Sequence, residues 1–296
     1  VRAGAPDGCI QIVEEPSIPL IEALMTDPTT DVVVATGGTA VVRAAYRSGN
    51  PAIGVGPGNV PSFVDSTADI AAAARHLVDS KSFDNSILCT NESVVIVEEE
   101  VADQLERELR KQGGHILDAA EVELVHEHLF PEGRMRIELI GKSALALAEA
   151  AQLKVPANTR VLVAPFSLVV PEEPLAHEKM FPLLGLVRVP NTRAGISAAQ
   201  AMLRITGAGH SASIHSRDAR TIMTYGAAVK VLRVSVNVGN SLGSAGALTN
   251  LSPTMTIGTG FYGRSSLGEN LEPRHLINLM RVAYNADASV PFDDFT

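Results

Sequence analysis

One stretch constrains the fold more than any other. An apolar run over Asp31–Ala35 ends in the turn Thr36-Gly37-Gly38-Thr39, a helical segment follows from Ala40 to Tyr46, and a second apolar run covers Ala52–Val55. Strand, helix and strand at this spacing form a βαβ unit, and a crossover of this length returns the chain to pair in parallel. The rhythm continues. Cys9–Val13 reads as a short strand and Ile18–Met25 as a helix, then Ser62–Val64 as a strand and Asp69–Ser80 as a helix. An α/β fold is expected. Hydrophobic residues make up 46% of the chain, aromatics only 4%, and tryptophan is absent. Plentiful Gly, Ala and Val suit a parallel sheet covered on both faces.

At 296 residues the chain holds roughly two domains. The second is expected to begin near Lys81. Its strands are Val94–Val97, Arg160–Ala164, Leu184–Val189, Ser211–His215 and Val231–Asn237. Helices are expected over Val101–Lys111, Ala119–Leu129, Ser143–Leu153, Gly195–Leu203 and Ala219–Tyr225. From Gly239 to Leu267 the chain is rich in Gly, Ser and Thr with little helical period, and a loop this long inside a domain is usually functional.

Composition excludes several classes of partner. The net charge is -9 with no long block of like charge, which argues against nucleic acid. The longest apolar stretch, Val161 to Val170, is broken by Pro165 and Ser167 and is too short to span a bilayer, so no membrane partner is expected. Two cysteines, Cys9 and Cys89, make no disulfide framework and suit a reducing, cytoplasmic setting. The opening Val1-Arg2-Ala3-Gly4-Ala5-Pro6 reads like the middle of a fold, so an N-terminally truncated chain is expected.

Cys89 is the leading candidate for chemistry. It lies in Ser82-Phe83-Asp84-Asn85-Ser86-Ile87-Leu88-Cys89-Thr90-Asn91-Glu92, after a polar turn and before the apolar run Val94–Val97. That placement suits a thiolate nucleophile near backbone N–H donors, and it also suits a packed thiol. Thr36–Thr39, with Gly37 and Gly38 between them, closes a strand and opens a helix; it is either a phosphate cradle or a tight turn. Gly54, Gly56 and Gly58 fall within five residues, which suggests close backbone approach to a ligand or a plain loop. His210, at the mouth of a strand, can serve acid–base chemistry or simply be a satisfied partner. The absence of HExxH, CxxC or a paired Asp cluster argues against a metal, and the absence of GxSxG against a serine hydrolase.

Taken in order, these segments resemble the coenzyme A-acylating branch of the aldehyde dehydrogenase superfamily. The markers are Ala35–Gly38, Gly54–Asn59, Ser82–Asn85 leading to Cys89, Glu173-Pro174-Leu175-Ala176-His177-Glu178-Lys179, Gly209-His210-Ser211, Leu251–Gly258 and Glu269-Asn270 running to His275–Asn278. The resemblance implies NAD or NADP as cofactor, coenzyme A as co-substrate, a small-molecule aldehyde as substrate, and a homodimer or larger homo-oligomer. It implies that Cys89 attacks the aldehyde, that Glu178 holds the nicotinamide ribose, and that His210 moves a proton with the CoA thiol. Thr36, Gly37, Gly38, Thr39, Gly54 and Gly56 would approach the cofactor. Hydrolytic members carry a water-activating Glu in the stretch matching Gly54–Gly58, where this chain has no carboxylate; acyl transfer is therefore expected over hydrolysis. Hydrolysis to the free acid and an inactive fragment or scaffold are the alternatives. Arg264, in the loop Gly260–Ser266, could pair with a sulfonate or carboxylate on the aldehyde, as in sulfoacetaldehyde or succinic semialdehyde, or be a structural arginine. The implied layout is the remainder of a Rossmann-like dinucleotide-binding domain over 1–80, a catalytic domain over 81–270, and a return to the cofactor domain over 271–296.

Overall fold

The computed structural model describes residues 2 and 4–286. Two parallel sheets organise them. The smaller has two strands, β1 (Val33–Thr36) and β2 (Ala52–Val55), paired from Val33 with Ala52 to Thr36 with Val55. It carries helices α1 (Ile18–Thr26) and α2 (Thr39–Arg47). Ser17 caps α1 by accepting from the Leu20 N–H, and Pro19 sits in its first turn, where a missing N–H costs nothing.

The larger sheet begins at β3 (Val60–Val64) and continues through β4 (Glu92–Glu98), β5 (Gly114–Ile116), β6 (Val161–Pro165), β7 (Leu183–Val189), β8 (Ala212–His215) and β9 (Val234–Val236). All neighbours are parallel in the order β5-β6-β7-β4-β3-β8-β9. Helices α3 (Ile70–Ser82), α4 (Glu99–Lys111), α5 (Ala119–Leu129), α6 (Ala144–Ala150), α7 (Thr192–Ile205), α8 (Ala219–Ala228) and the short α9 (Asn240–Ser244) follow in chain order. Every residue of β4 is buried, as a central parallel strand requires. Its alternate side chains part: Val95 and Val97 join Leu77, Leu105 and Leu109 from α3 and α4, while Val94 and Ile96 join Phe63, Ala199 and Met202 on the α7 face. A Cβ at Gly195 would overlap the Phe63 ring, so this glycine lets α7 lie close against β3.

The α/β expectation holds, and most elements fall within a few residues of their expected bounds. Four points differ. Cys9–Val13 forms no strand and is exposed; its only asset was local pattern, and a strand without a neighbour has no ladder to join. β5 was not anticipated, being three residues long and too short to show a period. The Gly239–Leu267 stretch contains α9 and a single turn of 3-10 helix at Phe261–Gly263. The larger sheet takes in β3 and α3, so the break between sheets falls between Val55 and Val60, ahead of Lys81. The segment that touches the smaller sheet again is Ser265-Ser266, whose hydroxyls donate to the Gly54 and Ala52 carbonyls. The C-terminal part of the expected return over 271–296 lies outside the described residues. Among those residues no helix is long and apolar enough to cross a membrane.

Candidate active site

The Cys89 loop leaves α3 through three consecutive residues in the left-handed region, Asp84, Asn85 and Ser86, at φ 47°, 48° and 64°. Non-glycine residues pay for this conformation in steric energy, and it persists only where surrounding bonds over-determine it. Asn91 supplies those bonds. Its backbone N–H donates to the Leu88 carbonyl at 3.0 Å, and its Nδ2 donates to the carbonyls of Ser86 at 3.0 Å and Leu88 at 2.5 Å. Helix α9 holds the far side: Thr90 Oγ1 donates to the Ser241 carbonyl at 2.9 Å and Asn240 Nδ2 to the Thr90 carbonyl at 2.7 Å. Cys89 is left half-buried at the entrance to β4, with its own backbone N–H directed at the sulfur.

Two neighbouring segments complete the floor. A Cβ at Gly58 would overlap the Cys89 carbonyl and stand 3.1 Å from Glu178 Oε1, so only glycine lets this backbone lie against the Cys89 backbone and the Glu178 carboxylate. The Gly58 N–H donates to Glu178 Oε1 at 3.2 Å. Burial, then the Glu178 charge, pushes the Cys89 thiol up to about 12, against the pull of its own N–H and of Arg233. Burial raises Glu178 to about 7, opposed by the Gly58 N–H and by the charges of Lys81 and Lys179. Cys89 therefore rests as a thiol, beside a carboxyl group that titrates near neutrality.

His210 is fully buried. Its Nδ1 lies 3.0 Å from Ser211 Oγ, and its Nε2 has no partner among the described residues. Burial and then the Arg233 charge lower it to about 3, so the ring is a neutral imidazole at physiological pH. Arg233 was not anticipated. It is buried, donates to the His210 carbonyl at 3.0 Å and to the Gly258 carbonyl at 2.6 Å, and stays cationic although burial lowers it to about 10. An arginine inside the apolar run Val231–Asn237 was the available signal. Lys81 was likewise missed, although it falls on the buried stripe of α3 with Leu77 and Val78.

The residues expected at the cofactor divide. Gly38 is the N-cap of α2 and offers no side-chain cap, which leaves the first-turn N–H groups unspent, and nothing lies within 4 Å of a Cβ placed there. Beside this turn, α1 and α2 enclose an apolar slot of about 500 Å³ lined by Ile18, Ile21, Met25, Ala40, Val41 and Ala44. Gly54 does different work. A Cβ there would strike Val42 and Tyr46, so it serves the packing of α2 on β2, and Tyr46 Oη accepts its N–H at 2.9 Å. Gly56 has an open face. Arg264, at φ 56°, lines a cleft of about 470 Å³ with Arg43 and Arg204, and no carboxylate is among the lining residues. Cys89 is not part of that lining, but Gly56 and Pro57 are, next to the Gly58 that meets Cys89.

A parallel α/β sheet with a half-buried thiol at the entrance to its central strand, where Gly58 and the Glu178 side chain converge on it, defines an α/β protein with a cysteine at the centre of its candidate site. The sequence profile of the aldehyde dehydrogenase family matches residues 1–248, and the chain belongs to that family. It is 36% identical over 288 residues to the aldehyde-alcohol dehydrogenase of Clostridium acetobutylicum, covering 96% of this chain and 33% of that protein. It is 37% identical over 292 residues to the succinate-semialdehyde dehydrogenase (acetylating) of Clostridium kluyveri, covering 98% of this chain and 64% of that protein. Its fold matches the crystal structure of an acetylating aldehyde dehydrogenase from Geobacillus thermoglucosidasius with a TM-score of 0.93 at 35% identity, over 99% of this chain and 64% of that one. The chain thus spans from a third to just under two thirds of the length of these relatives.

Proposed function

We propose that the chain carries the catalytic centre of a CoA-acylating aldehyde dehydrogenase. The observation that carries this reading is the meeting of Cys89, Gly58 and Glu178 at one point, with no carboxylate in the Gly54–Gly58 stretch. The Cys89 thiol gives up its proton, the one released in the overall balance, as its sulfur adds to the aldehyde carbon, and its own N–H stabilises the oxyanion. A nicotinamide dinucleotide, when bound, would supply the hydride acceptor. What remains is a thioester on Cys89. The CoA thiol then attacks the thioester carbonyl, the acyl–Cys89 bond breaks, and acyl-CoA departs. The overall balance is aldehyde, oxidised dinucleotide and CoA thiol going to acyl-CoA, reduced dinucleotide and a proton. The unpartnered Nε2 of the neutral His210 ring is the group to accept a hydrogen bond from the CoA thiol, whose proton returns to the departing Cys89 sulfur.

The residues fit a dinucleotide. The apolar slot between α1 and α2 suits a flat ring, the uncapped start of α2 at Gly38 and Thr39 suits a pyrophosphate, and Glu178 suits a ribose hydroxyl. On this reading β1, β2, α1 and α2 belong to the cofactor-binding part and the seven-stranded sheet to the catalytic part. Arg264, with Arg43 and Arg204, favours an aldehyde bearing a carboxylate or sulfonate. A second reading, hydrolysis to the free acid, is favoured by one observation: Glu178, held near 7, acts on the Cys89 charge and is a base of suitable strength for water.

The test is reduced-dinucleotide formation by the gene product with acetaldehyde, succinic semialdehyde and sulfoacetaldehyde, with and without CoA. Steady turnover that requires CoA and disappears in Cys89→Ala is expected. Equal turnover without CoA would transfer the assignment to hydrolysis.

A further inference from the structure

Three buried charged groups, Lys81, Lys179 and Glu92, have no role in the chemistry above. Lys81 and Lys179 are both fully buried, as is Glu92, and Glu178 completes the set. A buried ammonium is costly unless its donors are used. Lys179 spends its donors on its own turn, on the carbonyls of Leu175 at 2.6 Å and His177 at 2.7 Å. Lys81 does not. Its Nζ reaches across from α3 and donates to Asn91 Oδ1 on the Cys89 loop and, at 3.1 Å, to the Lys179 carbonyl directly after Glu178.

Resting on the reading of Cys89 as nucleophile, we propose that Lys81 is a positioning residue: one ammonium ties the Cys89 loop, through Asn91, to the segment that carries Glu178. Taking the Lys81 proton fixes which way the Asn91 amide faces. Only in that orientation does Nδ2 point at the Ser86 and Leu88 carbonyls and hold three left-handed residues in place. Lys81 touches neither thiol nor substrate; it sets where the thiol stands relative to Glu178. Burial lowers its pKa to about 7, and the carboxylates of Glu92 and Glu178 oppose that fall.

Two variants test this through independent readouts. Lys81→Met removes both donors, and Asn91→Asp keeps the acceptor for Lys81 while deleting the Nδ2 donors to the loop. Each is expected to lower kcat at least tenfold while the dinucleotide KM stays within about twofold. Each is also expected to speed exchange of the Ile87 and Asn91 amide hydrogens at least tenfold, a measurement that needs no turnover. The double variant should be no worse than the poorer single one, because both act through one chain of bonds. A folded Lys81→Met with wild-type kcat and wild-type exchange in the loop would overturn the proposal. If Lys81→Met does not fold, wild-type kcat and exchange in Asn91→Asp would overturn it equally. Faster loop exchange in the variants of a protein whose wild type turns over no aldehyde with any acceptor would sink the acylating reading and leave the positioning role standing.

Discussion

At the residue scale the site is a contest of charges over one sulfur. Glu178 pushes the Cys89 thiol up and Arg233 pulls it down. Glu178→Gln removes the first effect, so alkylation of Cys89 by iodoacetamide at pH 8 should quicken by about three- to tenfold, the equivalent of roughly half to one pKa unit. Because Cys9 is exposed and will react too, the rate is to be read on the Cys89 peptide by mass spectrometry. The pH dependence carries the same signature. Thiolate rises tenfold per unit up to about pH 12, but near pH 7 the wild-type slope should flatten as Glu178 ionises and raises the thiol further; in Glu178→Gln the slope should stay constant. A wild-type slope with no break near 7 would mean that Glu178 does not act on Cys89. Cys89 and His210 stand out in the sequence as polar positions beside apolar runs, whereas Glu178 stands out only through the family resemblance. Lys81 and Arg233 do not stand out, because a lone cation inside an apolar stripe differs from a surface residue only in what it faces, and facing is set by tertiary packing.

Among the elements, the sequence hid β5, three residues long, and α9. Five residues cannot show a helical period, and its Gly, Ser and Asn content reads as loop. Its worth lies in Asn240, whose buried amide donates to the Thr90 carbonyl and Ser211 Oγ and accepts from Ser235 and Ser244. One side chain thus joins the Cys89 loop, the start of β8 next to His210, and β9. Asn240→Ala leaves those buried groups unpaired and should cost about 2–4 kcal/mol of stability, read as a lower urea midpoint with unchanged m-value. A loss under about 0.5 kcal/mol would show that the amide is dispensable. The strands and longer helices, by contrast, were legible nearly to their ends, since β4 buries every residue and α4 and α5 carry acidic first turns and basic last turns. The expectation at Cys9–Val13 failed for the opposite reason: a good local pattern with no neighbour to pair with.

Across the whole molecule, the proposed function lies where the two sheets meet. The chain leaving β2 passes Gly56 and Gly58, the latter against Cys89, and enters β3, so the helices proposed to face the cofactor are joined to the thiol-bearing sheet by four residues of backbone. That junction makes a covalent acyl-enzyme the central claim. The most direct test is to incubate the protein with oxidised dinucleotide and aldehyde without CoA, quench in acid, and weigh the Cys89 peptide. An added acyl mass on Cys89, discharged when CoA is supplied before the quench and absent in Cys89→Ala, is the predicted result. An unmodified Cys89 peptide during turnover, or an acyl mass that CoA does not remove, would contradict it.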